Sequence, residues 1–172
     1  TVEGIAFLEF RIPTRGLLGY RGDFITDTKG LGIINTSFHE YAEDPGNWKD
    51  KLHGSLVASE TGQTNLYGLR NVQDRGALFF GPAEKVYEGQ VVGQNSREGD
   101  IRVNVCKEKH LSNMRSKGEG VSEHFNTPKK MDLEDALKFI GEDELVEVTP
   151  QNVRIRKIYL KEIDAKRARR QQ

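Results

Sequence analysis

The sequence predicts an α+β chain, and three observations predict it. A strand–helix–strand run opens the chain, short apolar stretches punctuated by turn residues follow, and an amphipathic helix lies near the far end. The opening run, Val2–Tyr41, reads as the second half of a split βαβ unit. Strand, helix, strand with nothing before it is incomplete, which predicts that the chain begins inside a larger protein.

Within that run, Val2, Gly4, Ala6, Leu8, Phe10 and Ile12 share one face of an extended segment, with Glu3, Glu9 and Arg11 opposite. Pro13 cannot donate to a sheet ladder and Thr14 suits an N-cap, so the strand should stop and a helix begin. Leu17, Leu18, Phe24, Ile25 and Thr28 recur at helical spacing, and Lys29-Gly30 ends the pattern. A second strand follows, with Ile34, Thr36 and Phe38 on one side and Ile33, Asn35 and His39 on the other. Gly16, Gly19 and Gly22 recur every third residue, and each costs about 1 kcal/mol against alanine inside a helix. Close packing on a sheet would offset such a cost, and so would close approach to an RNA backbone, with Arg15 and Arg21 flanking the glycines. Lys29-Gly30-Leu31-Gly32 is only superficially a phosphate-cradling loop, because a strand follows where that motif needs a helix.

Asp44-Pro45-Gly46-Asn47 is a strong turn and marks a domain boundary. Apolar stretches follow at Ser55–Ser59, Thr64–Leu69, Lys85–Tyr87, Gln90–Gly93 and Ile101–Val105. Turn residues separate them at Thr61-Gly62, Gly81-Pro82, Glu88-Gly89 and Glu98-Gly99-Asp100, a spacing that predicts an antiparallel barrel or compact sheet. Asp74-Arg75-Gly76 is read as a short turn of helix. Cys106–Asn126 is then a long polar connection holding Lys107, Lys109, His110, Asn113, Arg115, Ser116 and Lys117, closed by Gly118 and Gly120. Connections of that length are uncommon in compact domains unless functional or disordered. Lysine and arginine neutralise phosphates, asparagine and serine hydrogen-bond sugars or phosphates, and Leu111 and Met114 suit either a base face or an anchor to the body. A solvated surface loop is the bland alternative.

After Lys129 and Lys130, Asp132 is the expected N-cap of a helix whose Leu133, Ala136, Leu137 and Ile140 make one apolar stripe, closed by Gly141. Such a stripe is ordinarily core, with a partner-binding helix as the alternative. Leu145, Val146 and Val148 begin a strand that Pro150 interrupts, and Val153 and Ile155 alternate with Arg154 and Arg156, giving an apolar and a cationic face. The tail from Lys161 reads as a frayed helix or disordered arm.

Composition narrows the function classes. Formal net charge is zero, 35% of residues are hydrophobic and 30% charged, and no apolar run reaches the length of a bilayer span, so no membrane partner is expected. The neutral total hides segregation. Asp132–Pro150 carries seven acidic residues and one basic, whereas Gln151–Gln172 carries eight basic and two acidic. Val105–Met131 has six basic residues against three acidic. Two basic segments can mark a nucleic-acid surface; equally, the acidic helix can neutralise the tail. Evidence for catalysis is thin. The phosphate loop Gly-x-x-x-x-Gly-Lys-Ser/Thr is absent, and His39, His53, His110 and His124 show no metal-ligand spacing among themselves or with the single Cys106. One cysteine forms no internal disulfide and suits a cytoplasmic setting. A small stand-alone thiol enzyme using Cys106 and His110, and a protein-interaction module using the acidic helix, remain as alternative classes.

Several strings carry a family resemblance. Arg11-Ile12-Pro13-Thr14-Arg15-Gly16-Leu17-Leu18-Gly19-Tyr20-Arg21, Lys29-Gly30-Leu31-Gly32 and Ser37-Phe38-His39-Glu40-Tyr41 resemble the fifth domain of elongation factor G and its relatives. Asn71-Val72-Gln73-Asp74-Arg75-Gly76, Val86-Tyr87-Glu88-Gly89-Gln90, Asn113-Met114-Arg115 and Asp143–Pro150 bring the chain closer to the TypA/BipA family of ribosome-associated translational GTPases. The resemblance departs most between Lys117 and Pro128. It implies a ribosome-binding module with no catalytic site of its own, from a protein that hydrolyses GTP with magnesium in a G domain and aids ribosome assembly or stress-adapted translation. The implied partners are the ribosome, ribosomal RNA and tRNA. Candidate RNA contacts are Lys107, Lys109, His110, Asn113, Met114, Arg115 and Lys117 in the loop, with Arg15, Arg21, Lys129, Lys130, Arg154 and Arg156 outside it.

The expected architecture is half of a ferredoxin-like βαββαβ domain over 1–43, then a mostly antiparallel β domain over 44–160 with at least one helix and a basic loop at 106–126, then a basic tail over 161–172. A ferredoxin-like sheet has strand order 4-1-3-2, so the two opening strands would flank an absent central one. Their unpaired edges predict self-association or local disorder.

Overall fold

A computed structural model describes residues 4–43, 46, 53–109 and 124–171. The chain divides into two units, Thr1–Asp50 and Lys51–Gln172. Among the described residues the structure is mixed α+β with no closed barrel.

In the first unit a 3-10 turn, Thr14–Leu17, precedes α1, Tyr20–Asp27. The single helix expected from Thr14 is therefore broken. Gly19 sits at φ 70, a left-handed conformation that suits glycine and ends one helical segment before the next begins. Gly22 has open space where a side chain would be, so no close packing accounts for it. Gly32 is the tightly packed glycine, because a Cβ there would meet the Phe24 ring at 2.5 Å.

The two flanking strands of the sequence reading do not form among the described residues: 6–12 and 31–43 carry no ladder. An extended segment gains little from its alternating pattern unless a neighbour takes its backbone hydrogen bonds. Phe7, Leu8, Phe10, Leu31, Ile33, Phe38 and Tyr41 accordingly stay exposed. Arg11 and Glu40 bring the two segments together at 3.6 Å, but both side chains are mostly solvated and the pair contributes little.

The second unit is built on a six-stranded sheet. Its strands are β1 (Ser55–Ala58), β3 (Gly76–Leu78), β5 (Gln90–Asn95), β6 (Ile101–Val103), β7 (Glu144–Val148) and β8 (Val153–Lys157). The order is β6-β1-β5-β8-β7, with β3 also paired to β5. All pairings are antiparallel except β1 with β6. A separate short ribbon joins β2 (Gly62–Gln63) to β4 (Lys85–Val86).

Helices cover both faces. Helix α2 (Leu66–Gln73) buries Leu69 and Val72 in a cluster with Leu56, Leu78, Val92, Val103 and Val105. Helix α3 (Leu133–Phe139) places Ala136 in the second cluster, with Phe79, Val91 and Ile155, while Phe139 packs edge-on to Phe79 at 5.4 Å between centroids. Successive β5 residues Val91 and Val92 thus serve opposite faces, as strand pleating requires. A fourth helix, α4 (Glu162–Arg169), ends the described chain.

Two elements correct the sequence reading. Thr64–Leu69 was expected as a strand, yet Leu66–Gln73 is helical. Asn65 caps it by accepting from Tyr67 N at 2.9 Å, and Leu69 and Val72 face the core three residues apart. Gly76 was expected in a helical turn and instead enters β3, where a side chain would collide with the Gln94 carbonyl oxygen. The Asp132 cap of α3 holds, accepting from Asp135 N at 2.7 Å. The buried face of α3 nevertheless runs through Ala136, Phe139 and Ile140, leaving Leu133 and Leu137 partly exposed.

Candidate nucleic-acid interface

The described flanks of the long basic connection lie at opposite ends of α2. On the way out, Val105 O accepts from Asn65 N at 2.9 Å, at the helix cap. Gly68 lies against the same stretch: a Cβ there would meet Val105 O at 2.6 Å and Lys107 N at 3.1 Å. Cys106 N donates to Asn104 Oδ1 at 2.9 Å, turning the chain. On the way back, Gln73 at the far end of α2 pairs with the backbone of His124 and Asn126, and Phe125 packs against the core. Lys129 N then donates to Leu78 O at 2.8 Å.

Lys107 and Lys109 are exposed and carry no ion pair among the described residues; the same holds for Lys130. Lys129 reaches Asp135 at 3.8 Å, a mostly solvated pair that leaves its charge available. His110, Asn113, Met114, Arg115 and Lys117 lie outside the described residues.

The cationic face of β8 is differently built. Arg154 stands opposite Glu147 in the β7–β8 register, and Arg156 Nε lies 2.8 Å from Glu147 Oε1. Tyr87 donates its hydroxyl to Glu147 Oε2 at 2.5 Å, and burial together with that carboxylate pushes the phenol well above its usual range. One acid therefore already engages Arg156, which makes this face a weaker anion site than its sequence suggests. In the first unit Arg15 donates to Gly46 O at 2.6 Å, while Arg21 is exposed. Lys107 and Lys109 lie on the outgoing flank of the connection, and Lys129 and Lys130 follow the returning one. Arg154 and Arg156 lie in a separate strand, β8.

Other chemistries find less support. Cys106 is half-buried against Gly62, and burial, with Glu60 adding, raises its thiol above the ordinary cysteine value. A raised thiol is a poor nucleophile. Asp100, Asp143 and Glu144 converge closely enough to hold a cation, but Lys157 Nζ occupies the centre, within 3.0 Å of all three. Lys29 and Gly30 lead into residues 31–43, which form no helix to present amide groups to phosphate. Among the described residues no helix is long and apolar enough to cross a membrane.

The sequence reading missed Gln73 and Gly68, which hold the connection in place. Asn71–Gly76, which holds Gln73, and Val86–Gln90 both carry the family resemblance, but nothing local in the sequence marks Gln73 or Gly68 as an anchor. The role of Val86–Gln90 is structural. Gly89, at φ 85, approaches Leu160 Cα to 2.5 Å from its missing Cβ, and Lys157 N donates to Gly89 O at 2.9 Å, so this turn fastens the end of β8.

Comparison with known proteins adds the following. Residues 53–162 match the TypA/BipA C-terminal domain, and residues 1–52 match the elongation factor G C-terminus. The chain is 46% identical over 163 residues to the large ribosomal subunit assembly factor BipA of Synechocystis sp., covering 95% of this chain and 27% of that protein. It is 45% identical to the Haemophilus influenzae protein of the same name, over 98% of this chain and 27% of that protein. With the Salmonella typhimurium one it shares 43% identity over 99% of this chain and 28% of that protein. The chain thus spans little more than a quarter of these relatives.

Proposed function

This chain belongs to the TypA/BipA family, and on that footing we propose that it is the ribosome-binding end of a cytoplasmic translational GTPase. The relatives' name, large ribosomal subunit assembly factor, supports the large subunit as the partner and subunit assembly as the task. GTP and magnesium belong, in this reading, to a G domain elsewhere in the protein, and this chain supplies contact rather than chemistry.

The observation that carries the reading is the basic connection fixed at both ends of α2. Lys107, Lys109 and Lys130 flank it without acid partners among the described residues. Cations on a segment with a rigid base suit phosphate neutralisation, because the base is ordered before binding and less freedom is lost on contact. Lys107, Lys109, His110, Asn113, Met114, Arg115 and Lys117 form the proposed principal RNA contact. Lys129 and Lys130 extend it, and Arg15, Arg21, Arg154 and Arg156 are subsidiary. Ribosomal RNA is the expected ligand, with tRNA on the ribosome a further one.

Co-sedimentation of the chain with ribosomes across a salt series tests this reading. Binding that weakens steeply with salt supports it; no binding at low salt overturns it. A second reading has one observation in its favour: Leu133 and Leu137 leave an apolar strip on the acidic helix α3 partly exposed. Association that survives ribonuclease would favour that protein-interaction reading.

A further inference from the structure

Strand β7 ends the sheet, and among the described residues nothing pairs with its outer edge. The ladder to β8 shows which backbone groups that leaves. Ile158 N donates to Asp143 O and Thr149 N donates to Asn152 O, both continuing the β7–β8 register. Hydrogen-bonded pairs alternate along an antiparallel ladder, so Leu145 and Glu147 also turn their amides and carbonyls to β8. Val146 and Val148 turn theirs outward, where no described group meets them. An open row of donors and acceptors is a template for another strand. Apolar side chains line it on both faces of the sheet. Helix α3 packs over β7 and β8, with Phe139 turned inward to Phe79, whose amide donates to Val92 O of β5. Leu133 and Leu137 lie on the other side of buried Ala136 from Phe139, and so toward β7. They and Val148 are exposed on this face, and Leu145 is exposed on the opposite one.

We propose that β7 and the exposed leucines of α3 form a docking site for an extended basic segment of another protein, which adds to β7 as a further strand. Charge selects the occupant. Asp132–Pro150, the stretch that supplies α3 and β7, holds seven acidic residues and one basic. Glu142 stands exposed just before β7 with no ion pair among the described residues. On the incoming strand, apolar residues at alternate positions cover Leu133, Leu137 and Val148. Lysines or arginines between them lay their stems on Leu145 and their charges among the surrounding acids. A second copy of this chain fits badly, because pairing β7 with β7 brings two acidic stretches together. Main-chain bonds to Val146 and Val148 give attachment, and the alternation gives selectivity. The site uses no residue of the basic connection, so the inference goes beyond the RNA reading and does not depend on it.

The test titrates the full chain with a short synthetic peptide of alternating valine and lysine. Two control peptides, alternating valine and glutamate, and valines followed by lysines in blocks, should bind at least about tenfold more weakly. N-methylation of every valine blocks one edge of the peptide strand, and N-methylation of every lysine blocks the other. One of these two forms should bind within about twofold of the parent, and the other at least about tenfold more weakly. Hydrogen exchange at the Val146 and Val148 amides should be fast in the free chain and slow in the complex, while Leu145 and Glu147 stay slow in both. Val148→Pro removes an outward donor and no ladder bond, at a residue that is 61% exposed, and should weaken binding about fivefold or more. Should that variant not fold, the methylated peptides carry the same comparison on the unaltered chain. No binding of the alternating peptide, equal binding of the block peptide, or binding of both methylated forms would overturn the proposal. So would slow Val146 exchange in a free chain that dimerises with concentration, which makes a second copy the occupant. None of these outcomes bears on whether the cations of the basic connection hold the ribosome.

Discussion

Lys157 Nζ lies 3.0 Å from Glu144 Oε1, an ion pair whose carboxylate is wholly buried. The pair does not stand alone. Ser55 donates its hydroxyl to Glu144 Oε1 at 2.5 Å, Gly141 N donates to Oε2 at 2.9 Å, and Asp100 and Asp143 also reach the ammonium. Ser55 N in turn donates to Asp100 Oδ1 at 2.8 Å. The network ties β1, the turn before β6, β7 and β8 together, joining strands that are distant in sequence.

Lys157→Met should therefore destabilise the second unit by about 3–5 kcal/mol, because it strands buried Glu144 beside two further acids. Burial alone would lower the Lys157 pKa, but Asp100, Asp143 and Glu144 outweigh it and hold the ammonium above its ordinary value. A base with a raised folded pKa contributes fully below its unfolded pKa and loses that contribution as pH rises through the folded one. The wild-type advantage over Lys157→Met in urea titrations should thus stay level through neutral pH and shrink only above about pH 10.4, the ordinary lysine value. An advantage that vanished near pH 8 would contradict this assignment.

Gly68→Ala should cost about 1–3 kcal/mol, since the new methyl group meets Val105 backbone and neither α2 nor the sheet can give way freely. Chemical denaturation measures it. Gly22→Ala is the control: with open space at its Cβ position it should be neutral or slightly stabilising.

Alkylation of Cys106 should be slow at neutral pH, with a rate midpoint above the ordinary thiol range, because burial and then Glu60 disfavour the thiolate. Cys106→Ser should bind ribosomes as wild type does. Loss of function on that substitution would revive the thiol-enzyme reading.

Amide exchange should be fast across 6–12 and 31–41, where no ladder protects the backbone, and slow in β5, which is paired on both sides. Strong protection of both first-unit segments would indicate that they find strand partners in solution, including those of a second copy.

What the sequence revealed and hid follows from how each signal is encoded. Ser55–Ala58, Lys85–Val86 and Gln90–Asn95 were legible because short apolar stretches are set off by turn residues, and Val153–Lys157 because apolar and cationic residues alternate after Pro150. The α3 cap was legible because Asp132 precedes an apolar repeat. Helix α2 was misread because the apolar stretch Thr64–Leu69 taken alone is too short to fix a period; extended to Val72, the three-residue spacing of Leu66, Leu69 and Val72 is helical, and Asn65 caps it. The opening strands were predicted from alternation alone, which specifies a face but not a neighbour. Lys157 sat in a run of basic residues, and nothing local distinguishes a buried cation from a solvated one. Gln73 was invisible as an anchor for the same reason: its partners, His124 and Asn126, lie some fifty residues on.

The central claim is that the basic connection meets ribosomal RNA, and the salt dependence of ribosome binding by Arg115→Ala tests it most directly. If Arg115 neutralises a phosphate, the variant should bind more weakly, and the slope of log affinity against log salt should flatten by about 0.7 to 0.9. Folding stability should move by no more than about 0.5 kcal/mol. A loss of affinity at unchanged slope would indicate stacking on a base instead. If Lys107→Ala/Lys109→Ala/Arg115→Ala binds ribosomes with wild-type affinity and slope, the connection is not the interface, and the face carrying Arg154 becomes the leading candidate.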